Sequence, residues 1–313
     1  MQPTLNRREL LTATGAVAAG LAAGDLLAND KAPSKSKPRF RYCLNTSTIR
    51  GQKLTLEEEV AIAAKAGYSG IEPWMGEITA FVRRGGKLKD LAKRIADAGL
   101  KVESAIGFAQ WIVDDDKKRA AGLEAAKRDM DMLRQIGGTR IAAPPTGATG
   151  QSNLDLFQAA KRYAALLDAG RKIGVTPQLE VWGFSKSLSR LGEVMLVAVE
   201  SGRAEACILP DVYHVYKGGS DFAGLNLIGG NAMHVFHMND YPKMRREEAT
   251  DADRVYPGDG VAPFKAIMQT LVRIEFRGAL SLELFNREYW TQDALVVAKT
   301  GLAKMRAMVE KFA

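Results

Sequence analysis

The 313-residue chain is 46% hydrophobic and 26% charged, a balance typical of soluble globular proteins, and it is long enough for one large α/β barrel or two ordinary domains. The net charge is +8, but no run of five or more basic residues interleaved with aromatic ones occurs, so we interpret the charge as a solvated surface and expect no nucleic-acid partner. Three histidines and two cysteines are too few for a Cys/His zinc finger or a multi-zinc site, and Cys43 and Cys207 lie in apolar runs that predict buried free thiols.

Residues 1–28 have the pattern of a targeting segment. The adjacent Arg7 and Arg8 precede a mildly apolar run rich in Ala and Gly, and this arrangement resembles a twin-arginine export signal. A retained amino-terminal anchor or a frayed helix is the alternative, although the run is short and Gly-rich for a membrane span. We therefore expect a protein that the twin-arginine (Tat) machinery exports to the periplasm or the membrane surface. Residues 29–38 are rich in Pro, Ser and Lys and predict a disordered linker, which leaves residues 39–313 as the folded domain.

From residue 39 the chain alternates between short apolar runs and longer amphipathic runs. Thr55 and Glu58 form a capping-box pattern at the first amphipathic run, and Asn153 or Ser152 is expected to cap the fourth. The apolar runs predict strands over residues 40–48, 70–74, 101–108, 139–145, 175–182, 206–212, 232–239 and 278–285. The amphipathic runs predict helices over residues 54–68, 86–100, 117–137, 153–174, 187–201, 261–274 and 287–312, with a short helix near 221–228.

Eight strand–helix units over about 270 residues match the size of a single (β/α)₈ TIM barrel. A doubly wound open sheet is the alternative. That fold would require a phosphate-binding G-x-G-x-x-G after an early strand, and the sequence has none. Active sites of such barrels lie at the carboxyl ends of the strands, so polar residues at those ends are the candidates for function.

Four potential metal ligands lie at or near the ends of the last four predicted strands. They are Glu180 in PQLEVWG, Asp211 in ACILPDVYH, His237 in AMHVFHMND and Glu283 in ALSLELFN. Parallel strands would bring these side chains to one point, and a mixed set of oxygen and nitrogen ligands predicts a divalent-metal site. The oxygen-rich set favours Mn²⁺, with Mg²⁺, Co²⁺ or Zn²⁺ as alternatives. Any one of these residues taken singly is better interpreted as a buried salt-bridge partner.

Strand parity separates the two histidines of the seventh strand and orients the glutamates. Because side chains alternate along a strand, the Leu and Val neighbours of Glu180 and Glu283 pack under the helices, and both glutamates face the barrel interior. An ionised carboxylate there requires a cation. His234 and His237 are three residues apart and face opposite ways, so His237 is the expected ligand and His234 a hydrogen-bonded core histidine.

The sequence resembles the xylose-isomerase-like barrel superfamily, in its sugar phosphate isomerase/epimerase group, and is most similar to the inosose (2-keto-myo-inositol) isomerases. The resemblance spans residues 40–313. It rests on LEVWG (179–183), LPDVYH (209–214) and HMND (237–240), and most specifically on DADRVYPGDG (251–260) and SLELFNREYW (281–290).

The resemblance implies one divalent metal ion held by Glu180, Asp211, His237 and Glu283. It further implies substrate contacts from His214, from Arg254 (with Lys243 as the alternative basic residue) and from Glu72 in GIEPW. A metal that bridges a carbonyl and the adjacent hydroxyl stabilises an enediolate, while Glu180 and Glu283 serve as the catalytic acid and base. The expected activity is isomerisation or epimerisation of a keto-sugar or keto-polyol. Trp74, Trp111 and Trp182 form either an apolar wall for the sugar or part of the barrel packing.

The export segment departs from what cytosolic inositol catabolism would require. It favours a substrate met outside the cytoplasm, and the same enolate chemistry would allow β-elimination from a 3-keto-glycoside by a lyase. A non-catalytic periplasmic carbohydrate-binding barrel is another alternative, against which the paired glutamates argue. An apurinic-site endonuclease would require a histidine-rich trinuclear zinc site, and three histidines are too few. A homo-oligomer is possible, and the sequence does not decide the oligomeric state.

Overall fold

The computed structural model describes residues 40–313, and the export segment and linker expected for residues 1–38 lie outside them. Two parallel sheets, with strand orders β3-β2-β1-β8-β7 and β4-β5-β6, form the centre of the fold. The strands are Arg41–Asn45 (β1), Gly70–Glu72 (β2), Lys101–Val102 (β3), Arg140–Ala143 (β4), Thr176–Glu180 (β5), Ile208–Leu209 (β6), Val235–Met238 (β7) and Ala279–Leu282 (β8).

Single bridges close the two sheets into one barrel. Parallel bridges Ile208↔Met233 and Asp211↔His237 join β6 to β7. On the other side, Ala105 just beyond β3 exchanges backbone hydrogen bonds with β4: its N–H donates to Arg140 O at 3.2 Å, and its carbonyl accepts from Ala142 N at 2.8 Å. Because β1 pairs with both β2 and β8, every strand has a neighbour on each side, and the predicted (β/α)₈ TIM barrel is confirmed.

The helices surround the barrel, and most begin where the sequence places a polar cap. The predicted Thr55–Glu58 capping box is present, whereas Asp155 caps the fourth predicted helix in place of Asn153 or Ser152 because its carboxylate accepts from two backbone N–H groups. The helices are Leu56–Ala66 (α1), Met75–Arg83 (α2), Leu88–Asp97 (α3), Asp116–Gln135 (α4), Leu156–Ile173 (α5), Leu191–Glu200 (α6), Val212–Lys217 (α7), Phe264–Arg273 (α8) and Ala294–Phe312 (α9).

Two helices were not predicted. α2 follows Trp74, a residue type that rarely caps helices, and Glu77 supplies the missing acceptor by bonding Trp74 N at 2.9 Å. α7 follows β6 directly, and the segment near 221–228 forms a 3₁₀ helix, Phe222–Leu227. Among the described helices, none combines the length and apolarity that a bilayer crossing requires.

The barrel interior is layered. A small apolar cluster fills its lower part. Two positions further along four of its strands the residues are polar and buried: Asn45, Asp211, His237 and Ser281. Both cysteines are free and buried, as expected. The polar layer therefore lies at the carboxyl ends of the strands, on top of this apolar cluster, which we call the floor. The floor consists of Cys43, Ile106, Ala142, Leu209, Val235 and Ala279.

Candidate metal centre

The four predicted ligands meet at the carboxyl end of the barrel, and all are at most 3% exposed. His237 Nδ1 lies 3.2 Å from Glu283 Oε2, 3.7 Å from Asp211 Oδ2 and 3.9 Å from Glu180 Oε1. One ligand atom from each of Glu180, His237 and Glu283 lies within 4.8 Å of the others, a spacing that suits a shared metal ion. We call Glu180, Asp211, His237 and Glu283 the candidate metal centre.

Two atoms of this centre have no hydrogen-bond partner within residues 40–313: His237 Nδ1 and Glu180 Oε2. Buried polar atoms in folded proteins are nearly always paired, so two unpaired atoms in one centre favour an additional group there. A cation satisfies both at once, and carboxylates with one imidazole are suitable ligands for a divalent ion. The residues therefore fit the divalent metal that the sequence predicts.

Glu72 lies against the ring nitrogen of His237 that is turned away from Glu180, Asp211 and Glu283. Its Oε2 is 3.0 Å from His237 Nε2 and accepts from Ser281 Oγ at 2.7 Å and Asn45 Nδ2 at 3.0 Å, and the residue is fully buried. A carboxylate on the far ring nitrogen orients a ligand histidine and directs the other nitrogen to the metal. The structure thus gives Glu72 a position from which it orients His237, and its expected substrate contact stays a prediction.

Glu72→Gln is expected to weaken metal affinity about 10- to 100-fold, because the amide orients the imidazole less firmly and makes Nδ1 a poorer ligand. Titration of the metal-free protein with Mn²⁺, followed by calorimetry, measures this change. Glu103→Gln is the matched control, since it removes a buried carboxylate that bonds Arg41 instead of His237. Equal affinities in the wild type and Glu72→Gln would contradict the positioning role.

The two predicted catalytic glutamates have different surroundings. Both oxygens of Glu283 are engaged: Oε1 accepts from Asn45 Nδ2 at 3.1 Å and Oε2 from Arg254 Nη1 at 2.8 Å. Burial opposes ionisation, but the charges of His237 and Arg254 outweigh it and hold the pKa of Glu283 well below its usual range. Burial and the nearby Glu283 raise the pKa of Glu180 well above its usual range. Such a pair, one ionised and one able to hold a proton, is typical of acid–base sites.

Arg254 lies inside the carboxylate cluster and is 1% exposed. Its Nη1 donates to Asp211 Oδ2 at 3.1 Å as well as to Glu283, and its Nη2 lies 3.0 Å from His214 Nε2. Lys243, the alternative from the sequence, is exposed. Burial and the Arg254 charge lower the pKa of His214 well below its usual value, so this imidazole is neutral. Arg254 and His214 are thus brought together at the centre, as the sequence predicts.

Asp240 fixes the long loop that carries Arg254. Its carboxylate accepts backbone hydrogen bonds from Tyr241, Gly258, Gly260 and Ala262 at 2.8–3.0 Å. A Cβ on Gly260 would lie 2.2 Å from Tyr241 O and 2.4 Å from Asp240 Oδ1, so this turn requires glycine. The loop between β7 and α8 is therefore held at both ends by one side chain.

Aromatic rings form a continuous arc at the mouth of the barrel. Ring centroids are 5.0 Å apart for Trp74 and Phe108, 6.1 Å for Phe108 and Trp182, and 5.1 Å for Trp182 and Phe184. Phe285 joins at 5.9 Å from Trp74, and Phe108 and Phe184 are 39% and 46% exposed. Such faces are suited to stacking against the C–H groups of a sugar. We call these five rings the aromatic arc.

Trp111 lies outside the aromatic arc and belongs to the barrel packing. It is 2% exposed, its Nε1 donates to Pro144 O at 2.9 Å, and its ring packs on Tyr163.

His234 lies at the opposite, amino end of the barrel, where it lines a cavity of about 550 Å³ with Arg41 and Arg140. Burial and those two arginines lower the pKa of His234 to about 4, and its ring makes no hydrogen bond within residues 40–313. The expected hydrogen-bonded core position of His234 is therefore wrong, although its separation from His237 holds.

Strand-end reasoning missed three polar residues of the centre. Asn45 ends β1 and bonds both Glu72 and Glu283. Asn239 donates to Asp211 Oδ2 at 2.7 Å, and Ser281 bonds Glu72. The same rule that selected the ligands, a polar residue at or just beyond a strand end on the inward face, would have found all three.

A second pair of acidic residues, Glu59 and Glu77, lies near Arg50. Glu59 of α1 is 2% exposed, and burial together with the nearby Glu77 raises its pKa to about 9. Its Oε2 has no hydrogen-bond partner within residues 40–313. Glu59 is therefore protonated and uncharged at neutral pH.

Glu59→Gln is expected to remove a pH dependence of stability. The pKa of Glu59 rises from an ordinary 4.5 to about 9 on folding, so between these values the unfolded chain has released a proton that the folded chain keeps. The free energy of unfolding of the wild type therefore falls as pH rises through this window. In thermal unfolding from pH 5 to pH 9, the melting temperature of the variant relative to the wild type should rise as the pH increases. The control Glu57→Gln removes a partly exposed carboxylate of the same helix, and parallel curves for all three proteins would refute the assignment.

Comparison with known proteins identifies the family of this barrel. A family model described as a xylose isomerase-like TIM barrel matches residues 60–308. An inosose isomerase of Bacillus velezensis is 24% identical over 277 residues, which cover 87% of this chain and 98% of the relative. A 3-dehydroshikimate dehydratase of Pseudomonas aeruginosa is 24% identical over 265 residues, which cover 82% of this chain and 40% of the relative. The solved structure of an IOLI protein with a bound zinc atom superposes with a TM-score of 0.81 at 22% identity, covering 88% of this chain and 99% of the other.

Proposed function

The chain belongs to the xylose isomerase-like TIM barrel family, and on that premise we propose that it is a metal-dependent isomerase or epimerase of an inosose-like keto-sugar or keto-polyol. The observation that carries the proposal is the meeting of Glu180, His237 and Glu283 within 4.8 Å at the carboxyl end of the barrel, where Glu180 Oε2 and His237 Nδ1 lack a hydrogen-bond partner among the described residues. The inosose isomerase relative supports the substrate class. We propose Mn²⁺ as the ion because three of the four ligands are carboxylates, with zinc as the competing choice that the IOLI structure suggests.

A bound divalent ion would supply Lewis-acid polarisation of the substrate carbonyl. Glu180 is the better placed proton carrier, because its raised pKa lets it keep a proton taken from the substrate and its Oε2 is not engaged by any donor of residues 40–313. It removes the proton from the carbon next to the carbonyl, which gives an enediolate. Return of the proton to the neighbouring carbon gives isomerisation, and return to the other face of the same carbon gives epimerisation.

The remaining residues of the centre hold the substrate and its developing charge. Arg254, which is always protonated, lies between Asp211 and Glu283 and offers positive charge to the substrate oxygen. His214, as a neutral imidazole, is a hydrogen-bonding partner beside it. The aromatic arc covers the apolar face of the sugar and keeps bulk water from the reacting carbons. Glu283, held by Asn45 and Arg254, completes the acid–base pair.

A metal-dependent lyase acting on 3-keto-glycosides is the second candidate. The 3-dehydroshikimate dehydratase relative favours it, because loss of water from a keto compound also begins with removal of a proton beside the carbonyl. The two reactions differ only in whether the enediolate is reprotonated or expels a group from the β-carbon. The Arg7–Arg8 pattern supports a further proposal, that the enzyme is exported and meets its substrate in the periplasm.

Deuterium exchange tests the proposed function. The Mn²⁺-loaded protein is incubated in D₂O with a panel of ketoses, inososes and 3-keto-glycosides, and deuterium at the carbon next to the carbonyl is followed by NMR. Exchange with rearranged product supports the isomerase or epimerase, and exchange with release of the aglycone supports the lyase. Binding without any exchange would instead identify a non-catalytic carbohydrate-binding barrel.

A further inference from the structure

Arg50 lies at the mouth of the candidate metal centre, on the 3₁₀ helix Thr46–Gln52 that follows β1. Its guanidinium carbon is 3.5 Å from the ring centroid of Trp74 and 5.8 Å from that of Phe285, both members of the aromatic arc. Trp74 Nε1 donates to Asn45 Oδ1 at 3.0 Å, and Asn45 in turn bonds Glu283. Arg50 is therefore connected to the centre through two side chains.

The donors of Arg50 are free. Its guanidinium makes no hydrogen bond or ion pair with residues 40–313, whereas the terminal nitrogens of Arg254 bond Asp211, Asp251 and Glu283. Arg50 is also partly buried, and this burial lowers its pKa against the opposing charges of Glu77 and Glu283. The guanidinium of Arg50 is planar, stacks on the Trp74 indole and is partly removed from water. Its N–H groups are therefore preorganised to bind a planar acceptor such as a carboxylate.

The carboxylates near Arg50 act on its charge but do not bond its guanidinium. Glu59 is uncharged at neutral pH, as described above. Glu77 already accepts from Thr46 Oγ1 at 2.7 Å and from Trp74 N at 2.9 Å. The oxygens of Glu283 are engaged by Asn45 and Arg254. A partly desolvated cation with unused donors favours an anionic ligand over a neutral one.

We propose that Arg50 binds a carboxylate of the substrate, so that the substrate is an acidic keto-sugar or keto-polyol, an inference that rests on the proposed function. The carbonyl end of the substrate lies at Glu180 and His237. The ring spans the aromatic arc, and the carboxylate pairs side by side with the guanidinium over Trp74. Fork-to-fork pairing of this kind selects a carboxylate over a hydroxymethyl group at the same carbon.

Calorimetric binding to the Mn²⁺-loaded full chain tests this inference. The probes are D-fructuronate and D-fructose, which differ only in carrying a carboxylate or a hydroxymethyl group at C6. We expect the wild type to bind the acid about tenfold or more tightly than the neutral sugar, as a charge-assisted pair allows. Arg50→Gln should remove this preference, and Arg50→Lys should keep part of it because the charge remains without the fork. Arg84→Gln is the matched control, since Arg84 pairs with Glu57 on the surface.

Equal affinities of the wild type for the acid and the neutral sugar overturn the inference, and so does a preference that Arg50→Gln retains. Thermal unfolding of each variant shows whether it is folded, and Arg50→Lys provides the test if the glutamine variant is not. Deuterium exchange in the same samples separates the two proposals. Exchange without selectivity for the acid removes the role of Arg50 and leaves the proposed function intact. Selective, Arg50-dependent binding without exchange supports the role of Arg50 and contradicts the proposed function.

Discussion

Glu180→Gln is expected to abolish deuterium exchange in a protein that stays folded. The amide can still place an oxygen near His237 Nδ1, but it cannot accept a proton at neutral pH, and Glu180 Oε2 has no hydrogen-bond donor within residues 40–313. Loss of a positioned general base lowers rates by about 10²- to 10⁴-fold. Exchange rates measured at saturating Mn²⁺ report the chemical step apart from metal affinity.

Glu283→Gln sharpens this result. At saturating metal it should also lose exchange if Glu283 returns the proton, and full exchange would show that Glu283 only positions its neighbours. Glu57→Gln, on the surface of α1, controls for loss of a carboxylate and should exchange at the wild-type rate. A Glu180→Gln enzyme that exchanges as fast as wild type would refute the acid–base assignment.

Removal of the metal is expected to stop exchange and to lower the melting temperature. The centre confines Glu180, Asp211 and Glu283 at 3% exposure or less, and a cation offsets their repulsion. At a free metal concentration 100 times Kd, binding stabilises the folded state by about 2.7 kcal/mol, which corresponds to roughly 5 °C for a domain of this size. Calorimetric melting with EDTA and then with restored Mn²⁺ measures this shift.

The histidine pair of β7 supplies the controls for this experiment. His237→Gln removes a ligand and should melt at the same temperature with and without metal. His234→Gln lies three residues earlier, at the other end of the barrel, and should show the full metal-dependent shift. A metal effect that survives in His237→Gln would mean that the ion binds elsewhere.

The barrel and the family were predictable from the sequence, and both are confirmed. Eight apolar runs at regular spacing predict parallel strands, and a polar residue at a strand end identified Glu180, His237 and Glu283, which lie close enough to share a metal. The metal role itself stays a prediction. These successes depend on periodicity, which is local in sequence.

The residues and segments that support the candidate metal centre were not predictable in the same way. The contact between Glu72 and His237 was not predicted, because it depends on residues of other strands. Only His237 and Ser281 show where the carboxylate of Glu72 lies. Helix α2 was missed because Trp74, which precedes it, is not a standard cap residue, and its backbone N–H donates to Glu77 instead. The loop fixed by Asp240 depends on four backbone contacts across more than 20 residues of sequence, which no local pattern encodes.

The way β8 closes the barrel bears on the order of folding. β8 pairs with β1 on one side and β7 on the other, and it brings Ser281 and Glu283 to residues as distant in sequence as Asn45. The ligand set is therefore complete only after this late, long-range pairing. Interactions that form after the transition state slow unfolding without speeding folding, so an ion bound by this ligand set would lengthen the lifetime of the native state.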